Sequence, residues 1–281
     1  MRILLTGASG FTGRHFIQQA ESAGHTVVSL EADLTDLQSV LAGVKRQQFD
    51  AVVHLAAISF VGHADDAAFY AVNVVGTTHL LSALSELLAK PGCVLIASSA
   101  NVYGNCERSP IAESQLPAPV NHYATSKLAM EVMAATYADR LPMVLTRPFN
   151  YTGFGQSPDF LIPKLIKHFK ARSPVIELGN LHVEREFNDV RMVCDAYLRL
   201  LTVGQTGETY NICSGRPFTL QSVIELLIEL TGHEPEIQVN PKFVRQNEVV
   251  RLCGDPGKLW DVTGDPPNYP LRETLAWMLD G

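Results

Sequence analysis

Through the first 150 residues, short apolar or β-branched runs alternate with longer stretches whose apolar positions recur at helical spacing. The short runs, at 2–6, 26–30, 51–55, 94–98 and 143–147, predict strands. The longer patterns, at 12–24, 37–46, 64–90 and 123–140, predict helices. Alternation at this interval implies right-handed crossovers and a parallel sheet covered on both faces. Apart from His54, the run from Ala51 through Val52, Val53, Leu55 and Ala56 to Ala57 is apolar, as a strand buried on both faces should be.

Past residue 150 the texture changes. Loops lengthen and gain proline and glycine, at Gly153 to Pro158, Ser173-Pro174 and Pro266-Pro267. The fold class expected is α/β, with a doubly wound parallel sheet built from 1–150 plus 187–213. A smaller α/β lobe is expected from 151–186 plus 214–281. In open sheets of this kind ligands bind at the carboxyl ends of the strands, here beneath the small lobe.

Composition narrows the field. With 281 residues, 46% hydrophobic and 18% charged, the chain can bury a large core and is not disordered. A formal charge of −7 argues against a nucleic-acid or membrane-surface partner, while leaving room for an anion held by local arginines. No apolar run approaches a membrane span and the start lacks a signal-peptide pattern. Cys93, Cys106, Cys194, Cys213 and Cys253 never form a Cys-x-x-Cys pair, so a reduced, cytoplasmic protein without a metal site is expected.

Two motifs carry chemistry. Gly7-Ala8-Ser9-Gly10-Phe11-Thr12-Gly13 joins the first strand to the first helix. Bare backbone N–H groups and a helix N-terminus there suit a dinucleotide pyrophosphate. Gly7 serves the tight turn, Gly10 the approach of the phosphates and Gly13 close helix–strand packing. Farther on, Tyr123 and Lys127 stand four apart on one helix face. An ammonium beside a phenol lowers its pKa and makes it usable in acid–base chemistry. At a strand end upstream, in Ser98-Ser99-Ala100-Asn101-Val102-Tyr103-Gly104, Ser99 could hydrogen-bond a substrate carbonyl. His54 reads as a structural histidine and His122 as a loop residue, and nothing around Cys106 implies a reactive thiolate.

In order, Thr6 to Gly13, Asp33-Leu34, His54-Leu55-Ala56-Ala57, Asn73-Val74-Val75-Gly76-Thr77, Ser99, Tyr123/Lys127 and Arg147-Pro148-Phe149-Asn150 resemble the extended short-chain dehydrogenase/reductase family almost end to end. The resemblance implies a Rossmann-type NAD(P)-binding domain and a nucleotide-sugar-binding lobe. It implies a catalytic triad of Ser99, Tyr123 and Lys127, with Tyr123 the proton donor. The dinucleotide would meet Gly7, Ser9, Gly10, Phe11, Thr12, Gly13, Asp33, Leu34, Leu55, Ala56, Ala57, Asn73, Tyr123 and Lys127. Pro148 and Phe149 would flank the nicotinamide, and Asn101 and Asn150 would touch the substrate. A homodimer through a four-helix bundle is also implied.

Which reaction is a matter of neighbouring residues. Related 4,6-dehydratases carry an acidic pair or Ser-Glu just after the serine, where this chain has Ala100 and Asn101. Without that carboxyl group, elimination of water lacks its acid and base. Related C3/C5 epimerase-reductases carry a cysteine and a histidine where Asn101 and Phe160 stand. A C4-ketone reductase or a C4 epimerase with tightly held NAD remains; a dinucleotide sensor without activity would lack the intact triad. The stretch from Leu178-Gly179-Asn180 to Arg185-Glu186-Phe187 is similar to GDP-sugar members of the family, as is Arg245-Gln246-Asn247-Glu248-Val249 followed by Gly254-Asp255-Pro256. The implied reaction is reduction of a 4-keto-6-deoxy nucleotide sugar, GDP-4-keto-6-deoxy-D-mannose to GDP-D-rhamnose. Arg185 and Arg245 would meet the diphosphate or nucleotide and Glu248 the ribose. The cofactor is NAD(H) or NADP(H). Glu31, at the end of the second strand, favours NAD(H), because a carboxylate accepts adenosine hydroxyls and repels a 2′-phosphate; Arg14 is the residue that could instead approach such a phosphate.

Overall fold

The computed structural model describes residues 1–181, 183–241 and 249–281. Among these, six parallel strands form the central sheet: β1 (Arg2–Thr6), β2 (Thr26–Ser29), β3 (Ala51–His54), β4 (Cys93–Ala97), β5 (Met143–Pro148) and β6 (Thr209–Ile212). Their spatial order is β6-β5-β4-β3-β1-β2, with Thr6 opposite His54 and Ala97 opposite Thr146. The connectivity reverses at β1, so a crevice opens between the carboxyl ends of β1 and β3.

Strand side chains alternate between the two faces. Ile3 and Leu5 pack in one core with Phe16 of α1 (Phe11–Ser22), and Leu4 packs in the other with Val40 of α2 (Leu37–Lys45). This alternation is why the strands read as unbroken apolar runs. The long helical region that follows β3 is divided into α3 (Asp66–Tyr70), a π-helical segment (Ala71–Gly76) and α4 (Thr77–Ser85). The sequence pattern predicts one helix across 64–90. Instead the ladder widens by one residue around the buried Asn73, whose side chain leaves the helix to bond elsewhere. Asp66–Ser85 is long and apolar enough to cross a membrane by length and composition, contrary to the sequence expectation. Here it is a core helix, with Leu80, Leu81 and Leu84 fully buried beside Val44 and Met130.

The next helix, α5 (His122–Ala135), is capped by Asn121, whose side chain accepts from the Ala124 N–H at 2.8 Å. It ends five residues before the sequence pattern suggests, because the chain tightens into i→i−3 bonds at Thr136 and Tyr137. Beyond β5 come α6 (Leu161–Lys170), α7 (Val190–Val203), α8 (Leu220–Thr231), α9 (Gly257–Thr263) and α10 (Leu271–Asp280). Helix α7 joins α1 against the sheet and leads into β6. A separate core is assembled from Leu165 and Phe169 of α6, Val223 and Leu227 of α8, and Leu275 of α10.

Candidate active site

The glycine turn leaves β1 and enters α1 directly. Gly7 adopts φ +75, and a Cβ there would stand 2.7 Å from the Ala56 nitrogen. Only glycine lets the end of β1 lie this close to the chain leaving β3. Gly10 is the N-cap of α1 and supplies no side-chain hydrogen bond, so the first-turn N–H groups keep their capacity for an acceptor. A bare helix N-terminus framed by close backbone fits a dinucleotide pyrophosphate. Ser9 and Gly10 are exposed at its rim. Thr12 is held from behind by the Tyr151 hydroxyl at 2.8 Å, and the Phe11 ring stacks on Tyr151. Arg14 donates to the Ser9 carbonyl at 2.7 Å and the Gly155 carbonyl at 3.1 Å, which ties the turn to the loop after β5.

Around the crevice the predicted residues divide by what they touch. Leu55, Ala56 and Ala57 line the exit of β3, half-buried. At the exit of β2, Glu31 is exposed, whereas the Asp33 carboxylate turns back onto the Thr35 N–H at 2.9 Å and hydroxyl at 2.7 Å, which holds its pKa down. The Leu34 side chain belongs to the core with Val40 and Leu80. Asn73 is likewise buried. It accepts from the Ile58 N–H at 3.0 Å and donates to the Ser126 hydroxyl at 3.0 Å, bracing the β3 loop against α5. His54 bridges Thr6 at 2.6 Å and Thr77 at 2.8 Å. Burial, then the charge of Lys127, pushes its pKa down to about 3, so it stays neutral.

Ser99, Tyr123 and Lys127 come together at the end of β4. The Ser99 hydroxyl accepts from the backbone and side-chain N–H groups of Asn101, each at 3.2 Å, and hydrogen-bonds Tyr123. Burial raises the Tyr123 pKa and that bond with Ser99 opposes the rise. The Lys127 ammonium donates to the Ala97 carbonyl at 2.8 Å. Its pKa is pushed down to about 8 by burial, with Glu131 opposing. In this geometry desolvation outweighs the bond with Ser99 and holds the phenol above its ordinary range.

Other positions follow β5. Pro148 is buried at the strand end, and Asn150 is exposed. Phe149 is 1% exposed, in a cluster with Tyr103, Cys213 and Leu252. Arg185 donates to the carbonyls of Glu184, Val249 and Val250. Arg245 and Glu248 lie outside the described residues. His122 is the first residue of α5, on the surface, where it bonds the Tyr70 hydroxyl at 3.0 Å. Phe160 packs edge-on against Phe60.

Sequence reasoning missed Glu186. Fully buried, it accepts from the N–H groups of Gly254 and Ser214, both at 2.7 Å, and from the Asn188 side chain at 3.0 Å. It pins three chain segments beside the small lobe, a task no local spacing reveals.

Comparison with known proteins decides the class. The model of the NAD-dependent epimerase/dehydratase family matches residues 3–213. The chain belongs to this family. It is an enzyme of the NAD(P)-dependent oxidoreductase kind found there. It is 39% identical over 272 residues to a GDP-6-deoxy-D-talose 4-dehydrogenase from Aggregatibacter actinomycetemcomitans, covering 94% of this chain and 92% of that one. It is 35% identical over 294 residues to a GDP-6-deoxy-D-mannose reductase from Pseudomonas aeruginosa, covering 99% and 96%. Among solved structures, RMD from Pseudomonas aeruginosa complexed with NADPH superposes with a TM-score of 0.91 at 33% identity, over 99% of this chain and 97% of that one.

Proposed function

We propose that this enzyme reduces the C4 ketone of GDP-4-keto-6-deoxy-D-mannose with a reduced nicotinamide dinucleotide. The observation that carries the reading is the meeting of Ser99, Tyr123 and Lys127 at the end of β4, one strand from the β1–β3 crevice. The two GDP-sugar relatives support the substrate class, since a 4-dehydrogenase and a reductase of 6-deoxyhexoses share the 4-keto sugar as product or substrate. When bound, the nicotinamide supplies the hydride. The turn Gly7–Gly13 and the uncapped start of α1 would hold the pyrophosphate, and Lys127 the adjoining ribose. With its lone pairs facing two Asn101 N–H groups, the Ser99 hydroxyl has its proton to give to the developing oxyanion. Tyr123, kept protonated by burial, donates the proton that completes the alcohol. Neither Ala100 nor Asn101 offers the carboxyl group that dehydration would require.

The test follows loss of the reduced cofactor with a panel of GDP-, UDP- and dTDP-linked 4-keto-6-deoxy sugars. Stoichiometric oxidation with the GDP ketone is expected. Interconversion of C4 epimers with no added cofactor would replace the reductase with the 4-epimerase. The configuration of the product is read from its H3–H4 coupling, large for D-rhamnose and small for 6-deoxy-D-talose.

For the cofactor, the exposed carboxylate of Glu31 at the β2 exit supports NAD(H), although the Pseudomonas aeruginosa structure holds NADPH. Glu31→Ser is expected to shift kcat/KM roughly tenfold toward NADPH by removing repulsion of a 2′-phosphate. An unchanged ratio would take Glu31 out of cofactor choice. A dimer is also proposed: Val75, 45% exposed, and Val132, 65% exposed, lie on the adjacent helical elements that a four-helix interface would cover. Elution at twice the chain mass at micromolar concentration is expected, and a lone monomer peak would reject it.

A further inference from the structure

Tyr123, Lys127 and Glu131 follow one another at four-residue intervals along α5, and so share a face. The first two belong to the proposed chemistry; the third is buried and turned into the protein. The Glu131 carboxylate grips Arg147 of β5 through two bonds, Nε–Oε1 at 3.0 Å and Nη2–Oε2 at 2.6 Å. The third guanidinium nitrogen, Nη1, donates to the Tyr103 hydroxyl at 3.0 Å, and that hydroxyl donates to Asn211 on β6 at 2.7 Å. Asn211 is itself fully buried: its backbone N–H donates to Glu113 at 2.8 Å and its side-chain amide to the Ile111 carbonyl at 2.9 Å.

Tyr103 closes the short 3₁₀ turn Ala100–Tyr103, and Ser99 is the N-cap of that same turn. A single guanidinium therefore holds both halves of the reacting constellation. One arm fixes the helix that carries Tyr123 and Lys127, and the other fixes the turn that carries Ser99.

We propose that the buried Glu131–Arg147 pair is the positioning device of the active site, setting Ser99 against Tyr123 and holding a carboxylate one helical turn from Lys127. The role rests on the reduction proposed above. Two charges buried in one pair seldom stabilise a fold more than a well-packed apolar pair would, so their retention calls for another use. The groups facing Lys127 make that use electrostatic. They are Tyr123 and Glu131 on α5 and His54 on β3, with Arg147 and Tyr103 standing behind Glu131. His54 is neutral and Tyr123 protonated, so Glu131 is the anion that opposes desolvation of the ammonium, with the Arg147 cation on its far side. With the amine pKa near 8, small losses of that support bring its deprotonation into the neutral range.

The experiment compares Glu131→Gln, Glu131→Asp and the double variant Glu131→Gln/Arg147→Met with the wild type. Two quantities are followed against pH: dinucleotide affinity by tryptophan fluorescence, and kcat/KM. In the wild type both should fall above about pH 8 as Lys127 loses its charge. Glu131→Gln is expected to move that alkaline limb down by roughly one unit, a tenfold loss on its slope, and Glu131→Asp to restore it. The double variant leaves no guanidinium buried without a partner and removes one charge of each sign, so, should the single variant fail to fold, it is expected to lower the limb in the same direction but by less. If Glu131→Gln and the double variant keep the wild-type limb and lose only thermal stability, the pair is structural and the inference falls. Because affinity reads the limb without turnover, wild-type protein that binds dinucleotide yet leaves the GDP ketone untouched would defeat the proposed reaction alone.

Discussion

Tyr123→Phe is expected to lower kcat by roughly 10²–10⁴-fold, the range spanned by loss of a positioned general acid. The variant removes one oxygen from a side chain that is already buried, packed near Phe69 with ring centroids 6.0 Å apart. Its fold should survive, because phenylalanine fills nearly the same space and the bond forfeited is that to Ser99. Dinucleotide affinity should stay within about twofold of the wild type, as Lys127 and the glycine turn are untouched. The contrast between these two readouts is the diagnostic one. If the variant turns over at the wild-type rate, water or another residue donates the proton and the mechanism is wrong. A parallel collapse in affinity would instead mean that the hydroxyl organises the cofactor site.

The pH dependence carries a sign that follows from the environment. Burial favours the neutral form of each group, which raises a phenol and lowers an amine. Tyr123 is therefore protonated, and Lys127 charged, below about pH 8. An enzyme reducing a ketone needs both of those states.

Much of this molecule can be read from its sequence because the relevant physics is local. Strand positions follow from apolar runs, and β1 begins and ends where the pattern puts it. The glycine turn is legible because backbone conformation restricts the residue type, and Tyr123 with Lys127 because a helix repeats every 3.6 residues. What escapes is set by contacts distant in sequence. The π-helical segment depends on Asn73 reaching Ile58, fifteen residues back. That the Phe149 ring lies in a cluster with Tyr103 and Cys213 follows from contacts that local spacing does not record. The pair Glu131–Arg147 joins elements 16 residues apart through orientations that no periodicity records. Glu186 holds a segment 68 residues farther along the chain. In each case burial selects the partner, and burial is a property of the assembled fold.

Gly13→Ala should be the most damaging single-methyl change in the cofactor turn. A Cβ at this position would stand 2.1 Å from the Gly7 carbonyl oxygen and 2.8 Å from the Ala8 Cα. Both are backbone atoms of the turn, so no side chain can rotate aside. Helix α1 cannot back away either, since Phe16 and Ala20 are fully buried in the core shared with α7. Relief must come from distorting Gly7–Gly10, where the first-turn N–H groups are aimed. The expected outcome is at least a hundredfold loss of dinucleotide affinity, accompanied by a lower melting temperature from overpacking that costs about 1–3 kcal/mol. Gly10→Ala is a graded control, because its Cβ would meet the Gly7 carbonyl oxygen at 3.1 Å, a contact that small shifts can relieve. Gly24→Ala is a second control, strained at φ +79 but with nothing within 4 Å, and should lose stability while leaving affinity unchanged. Calorimetric titration with dinucleotide and thermal melts of the three variants rank them. Wild-type affinity in Gly13→Ala would mean that the dinucleotide is not seated on this turn.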